Sequence, residues 1–286
     1  MTKILVVGYG NMAHAIVKAL LLANNRHIFV TGRNEAKVLA FCNSFTSTQN
    51  FVVNPFKNTR DSQHREVLDL ETFDEVLLCI KPYGFSSFVY QGARGIVYSV
   101  MAGVCVAQLR DYFKEAEALV RIMPNIGAFN AQSASCVYID NQKHPAQDKN
   151  DKIRQKVAGF IQSFGNCVFV DNENLINASI ATSGSSPAFL ALVAQSLIDC
   201  GVYSGLSLEQ SQLLVKQTFK GFSALLEKKT PQKIIESVTS PSGTTSRGLA
   251  CLERHGVRGI FIQAGLDSIS RAEELANTSE YKDTKE

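Results

Sequence analysis

Charge of a single sign is the first thing missing. The 286 residues hold 29 Lys and Arg against 26 Asp and Glu, a net charge of +3, and the basic residues are scattered. So small and diffuse an excess does not argue for a nucleic-acid surface; it suits a mildly basic pocket for an anionic ligand. No uninterrupted run of about 18 apolar residues occurs, so no membrane span is expected. Met1-Thr2-Lys3-Ile4 opens directly on a strand pattern without a signal peptide's cleavage region, and the expected location is the cytoplasm. Cysteine is present but unorganised. The seven, at Cys42, Cys79, Cys105, Cys136, Cys167, Cys200 and Cys251, are odd in number, widely spaced and free of C-x-x-C. That argues against a disulfide framework and for reduced, buried thiols; with no Cys/His pair at ligand spacing, no metal site is expected.

What is there suits a globular protein: 45% hydrophobic and 19% charged residues, enough for one large or two ordinary domains. Lys3-Ile4-Leu5-Val6-Val7 reads as a buried strand. Gly8-Tyr9-Gly10-Asn11-Met12-Ala13 follows at once, with a helix over 11–22. G-x-G-x-x-A between strand and helix marks a dinucleotide-binding turn. Gly8 permits the tight bend, Gly10 lets a pyrophosphate approach the backbone, and Ala13 allows close helix packing. Val7, Tyr9, Asn11 and Met12 belong to the same candidate site.

The second strand, His27–Thr31, decides between cofactors. An NAD enzyme usually carries Asp or Glu at that strand's end to hold the ribose 2′-hydroxyl. Here Thr31-Gly32-Arg33-Asn34 offers no acid and one Arg. A guanidinium clasps a 2′-phosphate that a carboxylate would repel, so Thr31 and Arg33 predict NADP (NADPH), with NAD less preferred. Asn34 is the expected N-cap of a helix over 35–45.

From Thr46 to Asp69 the signal is poor, apart from a short strand at Phe51-Val52-Val53. Further strands are expected over 75–80, 95–100, 118–123, 133–138 and 166–170, with a helix over 148–163. This alternation predicts an α/β fold whose N-terminal part, residues 1–170, is a Rossmann-like doubly wound, mostly parallel sheet. Ligands bind such sheets beyond the strands' carboxyl ends, where Ile80-Lys81-Pro82, Met101-Ala102-Gly103 and Asn125 stand.

From 171 to 286 no convincing strand returns, and an all-helical domain is expected. A long helical stretch over 175–200 is bent at Ser183–Pro187 and closed by Gly201 and Gly205. Ser207–Gln210 fits a capping box opening a helix to Leu226, and Thr230-Pro231 fits the start of another to Val238. A last helix over 258–276 carries the stripe Phe261, Ala264, Ala272, Leu275 and Ala276, before a polar tail, 277–286, expected to be disordered. Such apolar faces fit a self-contained bundle or a subunit interface. The interface is favoured, since obligate dimers bury large apolar areas; the expected partner is a second copy, in a homodimer or a larger assembly of dimers.

Within this half, Thr239-Ser240-Pro241-Ser242-Gly243-Thr244-Thr245-Ser246-Arg247-Gly248-Leu249 is a turn that leads into a helix. A helix N-terminus offers unpaired N–H groups to a carboxylate or phosphate. An ordinary Ser/Thr N-cap is the plain alternative.

Together these motifs resemble the pyrroline-5-carboxylate reductases over nearly the full length. The resemblance rests on Gly8–Ala13, Ile80-Lys81-Pro82, Met101-Ala102-Gly103-Val104 and Arg121–Asn125. It rests more specifically on Ala181-x-Ser183-Gly184-Ser185-x-Pro187-Ala188-Phe189 and Val238-Thr239-Ser240-Pro241-x-Gly243-Thr244-Thr245-x-x-Gly248-Leu249. The chain departs from the family at Ser186 and Ser242, where Gly is usual, at Ile126-Gly127 in place of Thr-Pro, and at Tyr83 in place of a common Gln.

The resemblance implies NADPH-dependent reduction of 1-pyrroline-5-carboxylate to L-proline, the last step of proline biosynthesis, by an all-α substrate-binding and dimerisation domain over 171–286. It implies that the N–H groups of Gly243 and Thr244, with the Ser240 hydroxyl, take the substrate carboxylate. Thr245 would be the catalytic contact to the ring nitrogen. A related NADP-dependent dehydrogenase or imine reductase, or a non-catalytic NADP-binding protein, stays open. A β-hydroxyacid dehydrogenase would call for a Lys on the long helix after Asp171, and Lys216 and Lys220 come too late for it. His14 reads as a surface or packing residue, His255 as a partner of a helix dipole, and Lys81 as backbone positioning at a strand end.

Overall fold

The computed structural model describes residues 1–23, 26–45, 52–140 and 147–277. Phe51 of the expected third strand and residues 278–286 of the expected tail lie outside them. Along the chain run β1 (Thr2–Val7), α1 (Asn11–Ala23), β2 (Arg26–Thr31), α2 (Glu35–Asn43), β3 (Val53–Pro55), β4 (Thr59–Arg60), β5 (Glu66–Asp69), β6 (Glu75–Leu78), β7 (Phe88–Gln91), β8 (Ile96–Ser99), α3 (Val106–Tyr112), β9 (Ala118–Met123), β10 (Ser133–Asp140), α4 (Gln147–Gln162), β11 (Gly165–Val170), α5 (Leu175–Ser179), α6 (Ser186–Tyr203), α7 (Leu208–Leu226), α8 (Pro231–Val238), α9 (Thr244–Arg254) and α10 (Val257–Asn277). Contacts divide them into two compact units, Met1–Gly184 with Ser268–Glu286, and Ser185–Asp267.

The first unit is built on an eight-stranded sheet in the order β11-β10-β9-β8-β6-β1-β2-β3. Every neighbouring pair is parallel except β9 with β10. The chain winds outward from β1 in both directions, so a topological switch lies between β1 and β6. Register aligns the strand ends there: Val7 pairs with Thr31 and Leu78, Leu78 with Ser99, and Ser99 with Arg121. Side chains alternate across β1. Ile4 and Val6 join a core with Ile16 and Leu20 of α1 and Phe160 of α4, while Leu5 and Val7 join one with Leu109 and Phe113. Burial on both faces is why these strands read as unbroken apolar runs.

The stretch of poor signal holds structure of its own. β4, β5 and β7 form a separate three-stranded sheet, β4 antiparallel to β5 and β5 parallel to β7. The β4–β5 hairpin turns on Asp61, whose Oδ1 accepts from the N–H groups of Gln63 and Arg65, both at 2.9 Å. The bend expected at Ser183–Pro187 comes slightly earlier, as a π-helical turn over Ile180–Gly184 between α5 and α6. Ala272 of the expected stripe is buried with Met123, Ile176 and Ile180, and Phe261 is exposed. The side chains of Leu275 and Ala276 lie outside the described set.

In the second unit the helix ends follow local chemistry. Ser207 Oγ accepts from Gln210 N at 3.1 Å, and Gln210 Oε1 accepts from Ser207 N at 2.9 Å, a full capping box for α7. Thr230 Oγ1 accepts from Lys233 N at the start of α8. Gly205, at φ +99°, ends α6, with Gly205 N donating to Val202 O and Leu206 N to Gly201 O. Gly201 does not end the helix; it lies inside α6, where a Cβ would stand 2.6 Å from Ser211 Oγ of α7. The helical run 175–203 is long and apolar enough, by length and composition, to cross a membrane, which the sequence reading did not expect. Of the hydrophobic side chains described in this unit, Ile234 alone is buried.

Candidate active site

The aligned strand ends of the first unit gather most of the expected cofactor residues. Gly8 leaves β1 at φ +119°, and a Cβ there would lie 2.5 Å from the Cys79 carbonyl oxygen, so only Gly fits. Its N–H donates to Thr31 O at 2.8 Å, tying β1 to β2. Around Gly10 nothing lies within 4 Å of where a Cβ would be, so the backbone at the start of α1 is open to an approaching anion. Val7 is buried, Tyr9 and Met12 are half-buried, and Asn11 is exposed. A side chain at Gly32 would collide with the Tyr9 ring.

At the end of β2, buried Thr31 donates its hydroxyl to Asn58 Oδ1, and Asn58 Nδ2 donates to Gly32 O at 3.3 Å. Asn58 escaped the sequence reading because its place depends on the pairing of β2 with β3. Arg33 is exposed, with its guanidinium carbon 6.0 Å from the centroid of the Tyr83 ring. Asn34 caps α2 as expected, its Oδ1 accepting from Lys37 N at 2.9 Å.

Ile80 is half-buried and Lys81 exposed at the mouth of β6. The Lys81 carbonyl accepts from Gly84 N at 2.9 Å, and Pro82 opens a 3-10 turn over Pro82–Ser87. Met101 is buried after β8, beside Ala102 and Gly103, the latter at φ +78°. Past β9, Asn125 accepts through Oδ1 from Gly127 N at 3.0 Å and donates its own N–H to Ser133 Oγ at 3.0 Å. Its Nδ2 donates to Ser183 O at 3.4 Å, linking this loop to the π-helical turn. Arg121 near the end of β9 is buried and paired with Glu173 at 2.8 Å, and the same carboxylate accepts from Val106 N at the head of α3.

The histidines read as non-catalytic hold packing or capping places. His14 stacks on Phe45 at 4.6 Å and meets the Phe41 edge at 5.8 Å. Burial, helped by Lys18, lowers its pKa and favours the neutral ring. His255 bonds the Cys251 carbonyl at 2.8 Å at the end of α9.

The turn before α9 belongs to the second unit. Gly243 N donates to Ser240 O at 3.1 Å across Pro241-Ser242, and Ser242 stands at φ +58°. With Pro second and a left-handed residue third, this is a type II arrangement. Gly243 is the N-cap of α9, and no side chain caps the helix. The expected use of the Gly243 N–H as an anion donor conflicts with its place in the turn; the N–H groups from Thr244 onward are the ones that open the helix. A Cβ on residue 243 would overlap Ser240 Oγ, so Gly243 holds that hydroxyl close to the helix start. Ser240, Thr244 and Thr245 are exposed.

Comparison with known proteins identifies the family. The pyrroline-5-carboxylate reductase of Helicobacter pylori is 40% identical over 267 residues, 93% of this chain and 96% of that protein. The chain belongs to the pyrroline-5-carboxylate reductase family. A family model described as pyrroline-5-carboxylate reductase dimerisation matches residues 173–275, and one described as NADP oxidoreductase, coenzyme F420-dependent, matches residues 3–103. The crystal structure of the reductase from Streptococcus pyogenes is 25% identical, with a TM-score of 0.78 over 95% of this chain and 98% of its own. That from Coxiella burnetii is 27% identical, with a TM-score of 0.77 over 97% and 99%.

Family membership gives the departures physical meaning. Ser242, where the resemblance leads one to expect Gly, occupies a left-handed position that suits Gly. A Pro at position 127 would remove the N–H that Asn125 accepts here.

Proposed function

We propose that the chain reduces 1-pyrroline-5-carboxylate to L-proline, with NADPH as cofactor and NADH as the poorer donor, as a homodimer or an assembly of dimers in the cytoplasm. The observation that carries this reading is the α9 N-terminus: no side chain caps it, and Ser240, Thr244 and Thr245 stand around it. NADPH, when bound, supplies the hydride for the imine carbon.

The strand-end residues suit that cofactor. Gly8 and Gly10 leave backbone open for the pyrophosphate at the head of α1, and Arg33, with no acid at the end of β2, favours the 2′-phosphate. Ile80–Pro82, Met101–Gly103 and Asn125 bound the nicotinamide end. In the second unit, the N–H groups of Thr244 and Thr245 with the Ser240 hydroxyl take the substrate carboxylate. The Thr245 hydroxyl addresses the ring nitrogen, orienting or relaying the proton that makes the imine carbon electrophilic. The apolar helices of residues 185–267, with Leu190, Leu192, Leu213 and Leu214 among their exposed side chains, support coverage by a second copy. Seven free thiols agree with a reducing compartment.

Loss of reduced-nicotinamide absorbance with the pyrroline carboxylate tests the reading. Thr245→Ala should lower kcat by about 10- to 100-fold, as for one lost hydrogen bond to a charged group, with NADPH affinity unchanged. Tight NADPH binding without turnover would instead mark a nucleotide-binding protein that is not a reductase.

A further inference from the structure

A cleft of about 410 Å³ opens at the ends of β2 and β3, and Arg33, Lys57 and Arg60 bring three cations to its wall. The fold explains how they meet. β2 and β3 run parallel, with Val30 paired to Pro55 and Phe56 N donating to Val30 O at 2.8 Å. Lys57 therefore follows β3 at the same sheet edge where Arg33 follows β2. The Thr31–Asn58–Gly32 bonds fasten the two segments side by side.

The three cations are not equivalent. Arg60 faces its register partner Glu66 at 2.9 Å and is neutralised by it. Among the described residues no carboxylate pairs with Arg33 or Lys57. Glu35 lines the same cleft, but it stands in the first turn of α2, where the helix dipole already opposes its charge. Two unpaired cations on one small cleft repel each other unless an anion is shared between them.

We propose that Lys57 is a specificity-determining residue that, together with Arg33, grips the 2′-phosphate of the dinucleotide. This rests on the NADPH reading above and adds a residue from the stretch where the sequence signal is poor. Lys57 is exposed and Arg33 leans on Tyr83, so the lysine is the adaptable half of the clamp.

Calorimetric titration of the full chain with adenosine 2′,5′-bisphosphate and with adenosine 5′-monophosphate tests it without turnover. Lys57→Gln should weaken the bisphosphate about tenfold, as for a lost hydrogen bond to a charged group, and the monophosphate by less than about twofold. Lys57→Arg should retain the discrimination, and the wild-type advantage should shrink as salt rises. Unchanged bisphosphate affinity in Lys57→Gln, or equal loss for both nucleotides, overturns the proposal. If Arg33→Asp abolishes discrimination while Lys57→Gln leaves it intact, the role of Lys57 falls and that of Arg33 stands. If the wild-type chain binds both nucleotides alike, the NADPH reading falls and this inference with it.

Discussion

Ser242 carries a conflict between local chemistry and the turn it serves. The Ser240–Gly243 hydrogen bond needs a left-handed residue third in the turn, and Ser242 supplies it at φ +58°. A side chain in that conformation costs about 1–2 kcal/mol, which Gly avoids. Ser242→Gly should therefore raise stability. The gain is trimmed by the freer unfolded chain to about 0.5–1 kcal/mol, read from the denaturant midpoint at unchanged slope. A midpoint that stays put or falls would show that the turn stores no such strain. The position was legible in the sequence as a departure from the family, but its cost was not, because backbone sign is set by the hydrogen bond that closes the turn.

At the level of elements, legibility followed the range of the interactions. β1, the α7 capping box and the Asn34 and Thr230 caps could be read because each depends on residues a few positions apart. The β4–β5–β7 sheet could not. Its strands are short, β4 is two residues long, and β5 finds its parallel partner only across β6. Asn58 and Lys57 were missed with it, which is why the site looked poorer in cations than it is. Gly201 was misread for the same reason: its neighbour, Ser211, lies on another helix. There two effects oppose each other. Ala in a helix interior gains about 1 kcal/mol over Gly, whereas overpacking a helix contact costs about 1–3 kcal/mol. Gly201→Ala should thus be neutral or destabilising in the wild-type chain, and less costly in a Ser211→Ala background, where the nearest contact of the new Cβ relaxes from 2.6 Å at Ser211 Oγ to 3.2 Å at the Cβ of residue 211. Denaturation of the four proteins at one concentration checks this. A full gain in the wild-type background would mean that α6 and α7 are not so close.

For the whole molecule, the second unit poses a thermodynamic problem that the first does not. The sheet unit buries side chains on both faces, whereas α6, eighteen residues with Asp199 its sole charge, buries none. Leu190 and Leu197 fall on one face of it, at 50% and 48% exposure, with Leu213 and Leu214 of α7 near 60%. Full burial of a Leu contributes about 1.5–3 kcal/mol, so a second copy laid on such helices recovers what the single chain leaves in water. If a homodimer is that solution, wild-type protein should sediment as a dimer or larger at micromolar concentration. Leu190→Asp with Leu197→Asp should shift it towards monomer, since each buries an unpaired carboxylate in the interface, while circular dichroism keeps the helical signal. Activity should fall with the oligomer and recover as concentration rises. Wild-type protein that stays monomeric yet fully active would remove the need for a partner. Wild-type protein that instead co-sediments with lipid vesicles would mean that the apolar run 175–203 meets a membrane rather than its own copy.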